Sequence, residues 1–268
     1  MTGLLEGRVA LVTGASSGNG RAIARAIAAE GARGVVVADL QEQPREGGTA
    51  THLLIETETS AGAVFTRCDV TSPADLRAAV EAADKFGGVD LLVNNAGIFR
   101  SQNFLDITED DYDLTMDINV KGTFFASQVA ARAMIDGGRA GSIVNIGSVS
   151  GLAGSAGYTT YCTSKGGTRL LTQAMAAALG PSRIRVNMVA PGLVETAATT
   201  QDVPLFGSDA ASVIAAITPL AHVGTPQDIA DTVVFLASNR AAWMNGSIVV
   251  VDGGRTSTLP GGLRHAPE

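Results

Sequence analysis

Val9-Ala10-Leu11-Val12-Thr13-Gly14-Ala15-Ser16-Ser17-Gly18-Asn19-Gly20-Arg21-Ala22-Ile23 is the stretch that decides how this chain folds. Val9–Thr13 is apolar or β-branched without polar alternation, the pattern of a strand buried on both faces. Three glycines follow, Gly14, Gly18 and Gly20, and a helical pattern begins at once, with Ala22, Ile23, Ala26 and Ile27 on one face of Gly20–Glu30. Strand, glycine turn and helix in that order bring free backbone N–H groups and the positive end of a helix dipole to one point, which suits a pyrophosphate. Gly14, Ser16, Ser17, Gly18, Asn19 and Gly20 are therefore candidates for contact with a dinucleotide.

Outward from this turn, short β-branched runs alternate with longer helical segments. Strands are expected at Val9–Thr13, Val35–Asp39, Val64–Asp69, Leu91–Asn94, Ser142–Ile146, Arg185–Val189 and Ile248–Val251. Helices are expected at Gly20–Glu30, Thr49–Ser60, Pro73–Phe86, Glu109–Ile135, Tyr158–Leu179 and Pro226–Ala237. Such alternation implies right-handed βαβ units and an α/β fold. The expected architecture is a Rossmann-type, doubly wound parallel sheet of about seven strands with helices on both faces. No repeat or boundary interrupts the pattern, so residues 1–268 are read as one domain. Gln41–Gly48, with Pro44 and Gly47-Gly48, reads as a surface turn. The tail from Arg255 to Glu268 reads either as a disordered end or as a strap across a neighbouring subunit.

Apolar residues make up 46% of the chain and charged residues 17%, enough to bury a large core. A net charge of −7 disfavours nucleic acid and anionic membrane surfaces as partners. Met1–Arg8 has neither a basic region nor a long apolar run, and no apolar stretch has the length to span a bilayer. A soluble cytoplasmic protein is expected. Cys68 and Cys162 lack metal-ligand spacing and read as reduced thiols. His52, His222 and His265 have no partner at ligand spacing and read as surface histidines, so no metal site is expected. Glu109-Asp110-Asp111 reads as a helix start, where negative charge complements the dipole.

Asp39 ends the second expected strand, nineteen positions after Gly20. A carboxylate there accepts hydrogen bonds from an adenosine ribose diol and repels a 2′-phosphate. The next residue is Leu40, not a base. NAD is therefore the expected cofactor, with NADP the lesser alternative.

With these motifs in this order, the chain resembles the classical short-chain dehydrogenase/reductase family from Gly7 to Gly254. Gly14-x3-Gly18-x-Gly20 is that family's glycine spacing. Asp69-Val70 resembles the pair flanking the adenine, and Asn94-Asn95-Ala96-Gly97 the segment that runs along the cofactor. Asn119 resembles the family's helix-borne catalytic asparagine. Ser148 precedes Tyr161 by thirteen residues, and Tyr161-Cys162-Thr163-Ser164-Lys165 fits YxxxK. Pro191-Gly192, with Val194 and Thr196, resembles the turn that contacts the nicotinamide carboxamide. One departure is Asn19, where the family usually has an apolar residue; its side chain changes local packing or adds a polar contact.

The resemblance implies hydride transfer between a nicotinamide and a carbonyl/alcohol pair. Free tyrosine titrates near ~10, too high for a base at neutral pH, and a nearby ammonium favours the phenolate. Residues four apart on a helix share a face, so Tyr161 and Lys165 can share a site. By resemblance, Lys165 also binds the nicotinamide ribose, Ser148 orients the substrate oxygen, and Asn119 holds a water linking Lys165 to solvent.

Three segments enclose the substrate in this family. Here they carry Phe99; Ser148 and Ser150 with the small residues Gly151, Ala153, Gly154 and Ala156; and Gly192 followed by a lid at about 196–218 with Leu205 and Phe206. Val186–Asn239 contains no Lys or Arg, and a desolvated anion needs a basic partner. A neutral, largely apolar secondary alcohol or its ketone is the expected substrate. The alternatives are a 3-oxoacyl-thioester reductase, a hydroxyacyl or steroid dehydrogenase, and a non-catalytic NAD-binding sensor. Ala174, Ala177 and Ala178 beside Leu170 and Leu171 suit close helix packing between subunits, and the family commonly forms tetramers; a homotetramer or homodimer is expected. The other reading is that these alanines pack on the chain's own sheet.

Overall fold

The computed structural model of the chain describes residues 3–202 and 210–257. Seven strands form one sheet: β1 (Val9–Thr13), β2 (Gly34–Asp39), β3 (Gly62–Arg67), β4 (Leu91–Asn94), β5 (Gly141–Ile146), β6 (Ile184–Pro191) and β7 (Ile248–Val251). Their order is β3-β2-β1-β4-β5-β6-β7, and every pairing is parallel. The order reverses between β1 and β4. Loops leaving those two strands diverge to opposite faces there and open a crevice at the strands' C-terminal ends.

The helices are α1 (Gly18–Ala29), α2 (Thr51–Glu58), α3 (Pro73–Glu81), α4 (Glu109–Met116), α5 (Thr123–Asp136), α6 (Thr159–Leu179), α7 (Ala210–Ile217) and α8 (Pro226–Ala237). Because side chains alternate along a strand, Leu91 and Val93 enter the core cluster under α1 and α8. Leu92, between them, enters the cluster under α3, α5 and α6. Both faces of the sheet are therefore dry, and β1, β4 and β5 are buried at every position. Burying one such Val, Leu or Ile side chain contributes about 1.5–3 kcal/mol.

Local chemistry fixes several helix starts. Ser72 accepts a hydrogen bond from the Asp75 N–H ahead of Pro73. Thr225 and Asp228 form a reciprocal capping box around Pro226. Thr108 caps α4, whose first turn carries Glu109, Asp110 and Asp111 as expected.

Three expectations need correction. The helix read as continuous from Glu109 to Ile135 contains a π-helical turn at Asp117–Gly122, which no hydrophobic period announces. The third strand starts at Gly62 and ends at Arg67 rather than Asp69, because it pairs residue for residue with β2 from Gly34 to Asp39. His52 is not a surface histidine: its side chain is 14% exposed and its Nε2 lies 3.5 Å from a Glu42 carboxylate oxygen. Helix α7, inside the expected lid, was not anticipated either. The lid residues Leu205 and Phe206, and the tail beyond Ser257, lie outside the described residues.

Candidate active site

The crevice is a cleft of about 920 Å³. Its walls include Gly14, Ser17, Gly18, Asn19, Asp39, Leu40, Asp69, Val70, Asn95, Ala96, Gly97, Pro191, Gly192, Val194 and Thr196, together with Phe99, Ser148, Ser150, Tyr161 and Lys165. Two expected contacts do not line it. Ser16 is fully buried, its N–H donating to Asp39 Oδ2 and its carbonyl accepting from the Thr51 hydroxyl. Gly20 lies beneath the turn, where a Cβ would collide with the Gly14 carbonyl oxygen. Both residues shape the turn from behind.

On the side formed by β3, β2, β1 and β4 several polar groups are already held, while the buried Asn19 Oδ1 has no hydrogen-bond partner among the described residues. Asp39 accepts from the Ser16 N–H at 2.9 Å and the Leu40 N–H at 2.7 Å. Asp69 Oδ1 accepts from the Thr71 N–H and hydroxyl. The Asn95 amide donates to the carbonyls of Thr13 and Gly14, both at 3.0 Å. Gly14 has φ +64°, and a Cβ on it would lie 2.9 Å from Ala96 Cα, so the turn passes its neighbour only as glycine. Burial, then the carboxylates of Asp75, Asp69 and Asp39, pushes the Cys68 thiol up to about 12, so it stands neutral in the wall.

On the β5–β6 side stand the groups with chemistry. Ser148 ends β5's loop and hydrogen-bonds the Tyr161 hydroxyl. Lys165, one turn beyond Tyr161 on α6, donates to the Ile146 carbonyl at 2.9 Å, with its Nζ 5.6 Å from the Tyr161 ring centre. Phe99 packs edge-on against Tyr161 and stacks on Tyr158. Asn119 does not line the cleft. It sits in the π-helical turn, buried, and clasps the Ile98 backbone: Oδ1 accepts from the Ile98 N–H at 2.9 Å and Nδ2 donates to its carbonyl at 3.0 Å. Its amide also donates to the Ser164 hydroxyl at 3.0 Å. A Cβ on Gly97 would lie 3.1 Å from Asn119 Oδ1 and 3.6 Å from Lys165 Nζ, so only glycine separates the two.

The proton energetics differ from the simple sequence expectation. Burial pushes Tyr161 up to about 12 despite the Ser148 hydrogen bond, and burial brings Lys165 down to about 8. Desolvation is the largest influence on Tyr161 and favours its neutral hydroxyl, the form that can donate a proton.

Sequence reasoning missed Leu193, Arg255 and Thr256, which line the cleft; Ala153 and Gly154, expected beside the substrate, line it too. A signal existed: in an all-parallel sheet, the segment leaving the last strand emerges on the same side as every other functional loop.

The residues present fit a nicotinamide dinucleotide. The glycine turn admits close approach of backbone to a pyrophosphate, Asp39 faces the same cleft from the end of β2, and Tyr161 and Lys165 stand at the far end. Such a cofactor supplies the hydride chemistry when bound.

Comparison with known proteins agrees. A family model described as enoyl-(acyl carrier protein) reductase matches residues 14–256. An L-rhamnose-1-dehydrogenase of Scheffersomyces stipitis is 40% identical over 95% of this chain and 98% of its own length. A trans-4-hydroxycyclohexanecarboxylate dehydrogenase of Sinomonas cyclohexanicum is 39% identical over 93% of each chain. The crystal structure of a short-chain type dehydrogenase/reductase from Mycobacterium marinum superposes with a TM-score of 0.86 at 36% identity, covering 95% of this chain and 97% of that one. The chain belongs to the short-chain dehydrogenase/reductase family. It is an NAD(P)-dependent oxidoreductase acting on CH–OH donors.

Proposed function

We propose that this enzyme uses NAD to interconvert a secondary alcohol and its ketone. The observation that carries the cofactor choice is Asp39: its carboxylate is pinned by two backbone N–H groups at the end of β2 and lines the cleft. Placed so, it accepts from a ribose diol and opposes a 2′-phosphate. In ketone reduction the Tyr161 hydroxyl donates its proton to the substrate oxygen, and in oxidation it takes that proton back. Ser148 donates a hydrogen bond to the same oxygen. Lys165, beside Tyr161, stabilises the phenolate that forms.

Around the reacting carbon the cleft is small and apolar, with Phe99, Val149, Ala153, Gly154 and Leu193. A neutral, apolar group flanking the carbinol fits these walls. The stretch without Lys or Arg, Val186–Asn239, covers only the inner wall, because Arg255 lies beyond it. Among the described residues no helix is long and apolar enough to cross a membrane, and the free thiols Cys68 and Cys162 suit a reducing, cytoplasmic compartment.

The reading includes self-association, as a homotetramer or homodimer. Its support is exposed apolar surface on two separate faces: Phe124, Phe125 and Leu170 on α5 and α6, and Trp243, Phe235 and Val250 beside β7. Ala174, Ala177 and Ala178 are exposed on α6 and do not pack on the chain's own sheet.

The test is a fluorescence titration with NADH and NADPH, for wild type and Asp39→Ala. Tight NADH binding, weak NADPH binding and loss of that preference in the variant are expected. A clear NADPH preference in the wild type overturns the cofactor reading and turns attention to 3-oxoacyl thioesters.

A further inference from the structure

The cleft has a polar asymmetry that the reaction itself does not use. Its two wall carboxylates, Asp39 and Asp69, both stand on the β2–β3 side, with Arg45 beside them. On the β6–β7 side, the cleft residues Gly192, Leu193, Val194, Thr196, Arg255 and Thr256 include no carboxylate. Arg255 is the cation there, and its guanidinium makes no hydrogen bond or ion pair with a described residue.

The nearest acid in sequence, Asp252, is engaged in holding the turn. Its carboxylate accepts from the Gly254 N–H at 2.9 Å, the Thr256 N–H at 2.7 Å and the Thr256 hydroxyl at 2.6 Å. The turn is also anchored at both neighbours. Gly192 N–H donates to the Val251 carbonyl at 2.8 Å, and Leu220 N–H donates to the Gly253 carbonyl at 3.2 Å. The chain after β7 is thus tied to the Pro191-Gly192 turn on one side and to the end of the lid on the other. This fixes the Arg255 backbone at the edge of the cleft, where its side chain is exposed and has no ion-pair partner among the described residues.

An exposed guanidinium at the edge of a cleft, on a side without carboxylates among the described residues, is matched by a planar anion with two acceptors. We propose that Arg255 recognises a carboxylate at the end of the substrate remote from the reacting carbinol, so that the preferred substrates are hydroxy acids and their keto acids. The inference rests on the proposed alcohol–ketone reaction and deepens it. The inner wall takes the neutral, apolar part of the molecule, and the mouth takes its charge. Arg255 follows β7 and Asp39 ends β2, strands separated in the sheet by β1, β4, β5 and β6, so Arg255 is assigned to the substrate and not to the adenosine end.

The experiment uses the full-length protein and, for turnover, the oxidised form of whichever nicotinamide it binds. A series of secondary hydroxy acids, cyclic and linear, is compared with the matching methyl esters for wild type, Arg255→Gln and Arg255→Lys. In the wild type, kcat/KM is expected to favour the acid over its ester by about tenfold, the size of one charge-assisted contact at a partly open site. In Arg255→Gln that ratio collapses towards one, with the loss falling on the acid and in KM more than in kcat. Arg255→Lys, which keeps the charge and loses the fork, lies between.

A second readout needs no turnover: cyclohexanecarboxylate is titrated into the enzyme–NADH complex and followed by the bound nicotinamide fluorescence. Saturable binding in wild type that weakens in Arg255→Gln supports the proposal. Turnover of esters with no preference for acids, or an acid preference untouched by the substitution, overturns it while leaving the alcohol–ketone reading intact. Nicotinamide binding without turnover of any alcohol overturns that reading, and the carboxylate titration then still decides Arg255. Loss of nicotinamide binding itself in Arg255→Gln makes the residue a cofactor contact and also overturns the proposal.

Discussion

The two halves of the cleft are built on opposite plans. On the side formed by β3, β2, β1 and β4, Asp39, Asp69 and Asn95 have main-chain or side-chain partners of their own. On the β5–β6 side, Tyr161 and Lys165 are displaced from their ordinary proton affinities by burial, in opposite directions. The first half is a rigid template that recognises shape. In the second, burial disfavours the charged form of both groups. Binding and chemistry should therefore come apart under mutation.

The largest expected effect is Tyr161→Phe. Removing the hydroxyl takes away the proton donor, and kcat should fall by about a thousandfold. NADH binding, followed by fluorescence, should survive. Equal loss of both would erase the distinction between the halves.

Gly20→Ala attacks the template instead. Its Cβ collides with the Gly14 carbonyl oxygen and approaches the Asn95 amide. A destabilisation of about 1–3 kcal/mol is expected from such overpacking, read as a lowered denaturation midpoint. NADH affinity should drop with it. Unchanged affinity would mean that the turn does not set the binding geometry.

Asp39→Ala should cut the NADH over NADPH preference about tenfold, measured as a ratio of dissociation constants. A retained preference would move cofactor selection away from the end of β2.

The smallest effect is in the pH profile of ketone reduction. Lys165 is charged below about 8 and loses its proton as pH rises through that value. Its charge favours the phenolate left after proton donation, so kcat/KM should fall above about pH 8. A rate that stays level to alkaline pH would show that Lys165 keeps its proton in the ternary complex.

The sheet was legible because its strands are uniformly apolar: Val9–Thr13, Leu91–Asn94 and Ile248–Val251 match residue for residue. The reading of Tyr161, Lys165 and Ser148 as neighbours came from spacing, and the three do meet in one cleft. What escaped was of two kinds. The π-helical turn at Asp117–Gly122 carries Asn119, which clasps Ile98 across 21 positions, a contact that no local period encodes. Ser16 looked like a ligand contact because it stands in the glycine turn, yet its N–H serves Asp39 across 23 positions. Arg255 escaped because its tail is rich in glycine and polar residues, and its place depends on Asp252 and Gly192, not on its own neighbours.

The π-helical turn has a mechanical meaning for the whole molecule. It joins α4 and α5 into one rod from Glu109 to Asp136 and inserts a shift of phase midway. A regular rod would carry one stripe from end to end. With the phase shift, the middle can turn Asn119 inward under the cleft while Tyr112 and Leu114 before it, and Phe124 and Phe125 after it, stay at the surface. The same rod thus carries a residue buried beneath the cleft and an exposed outer face. Deleting a single residue within the turn would rephase one end against the other, so that the site and that face could not both remain in register.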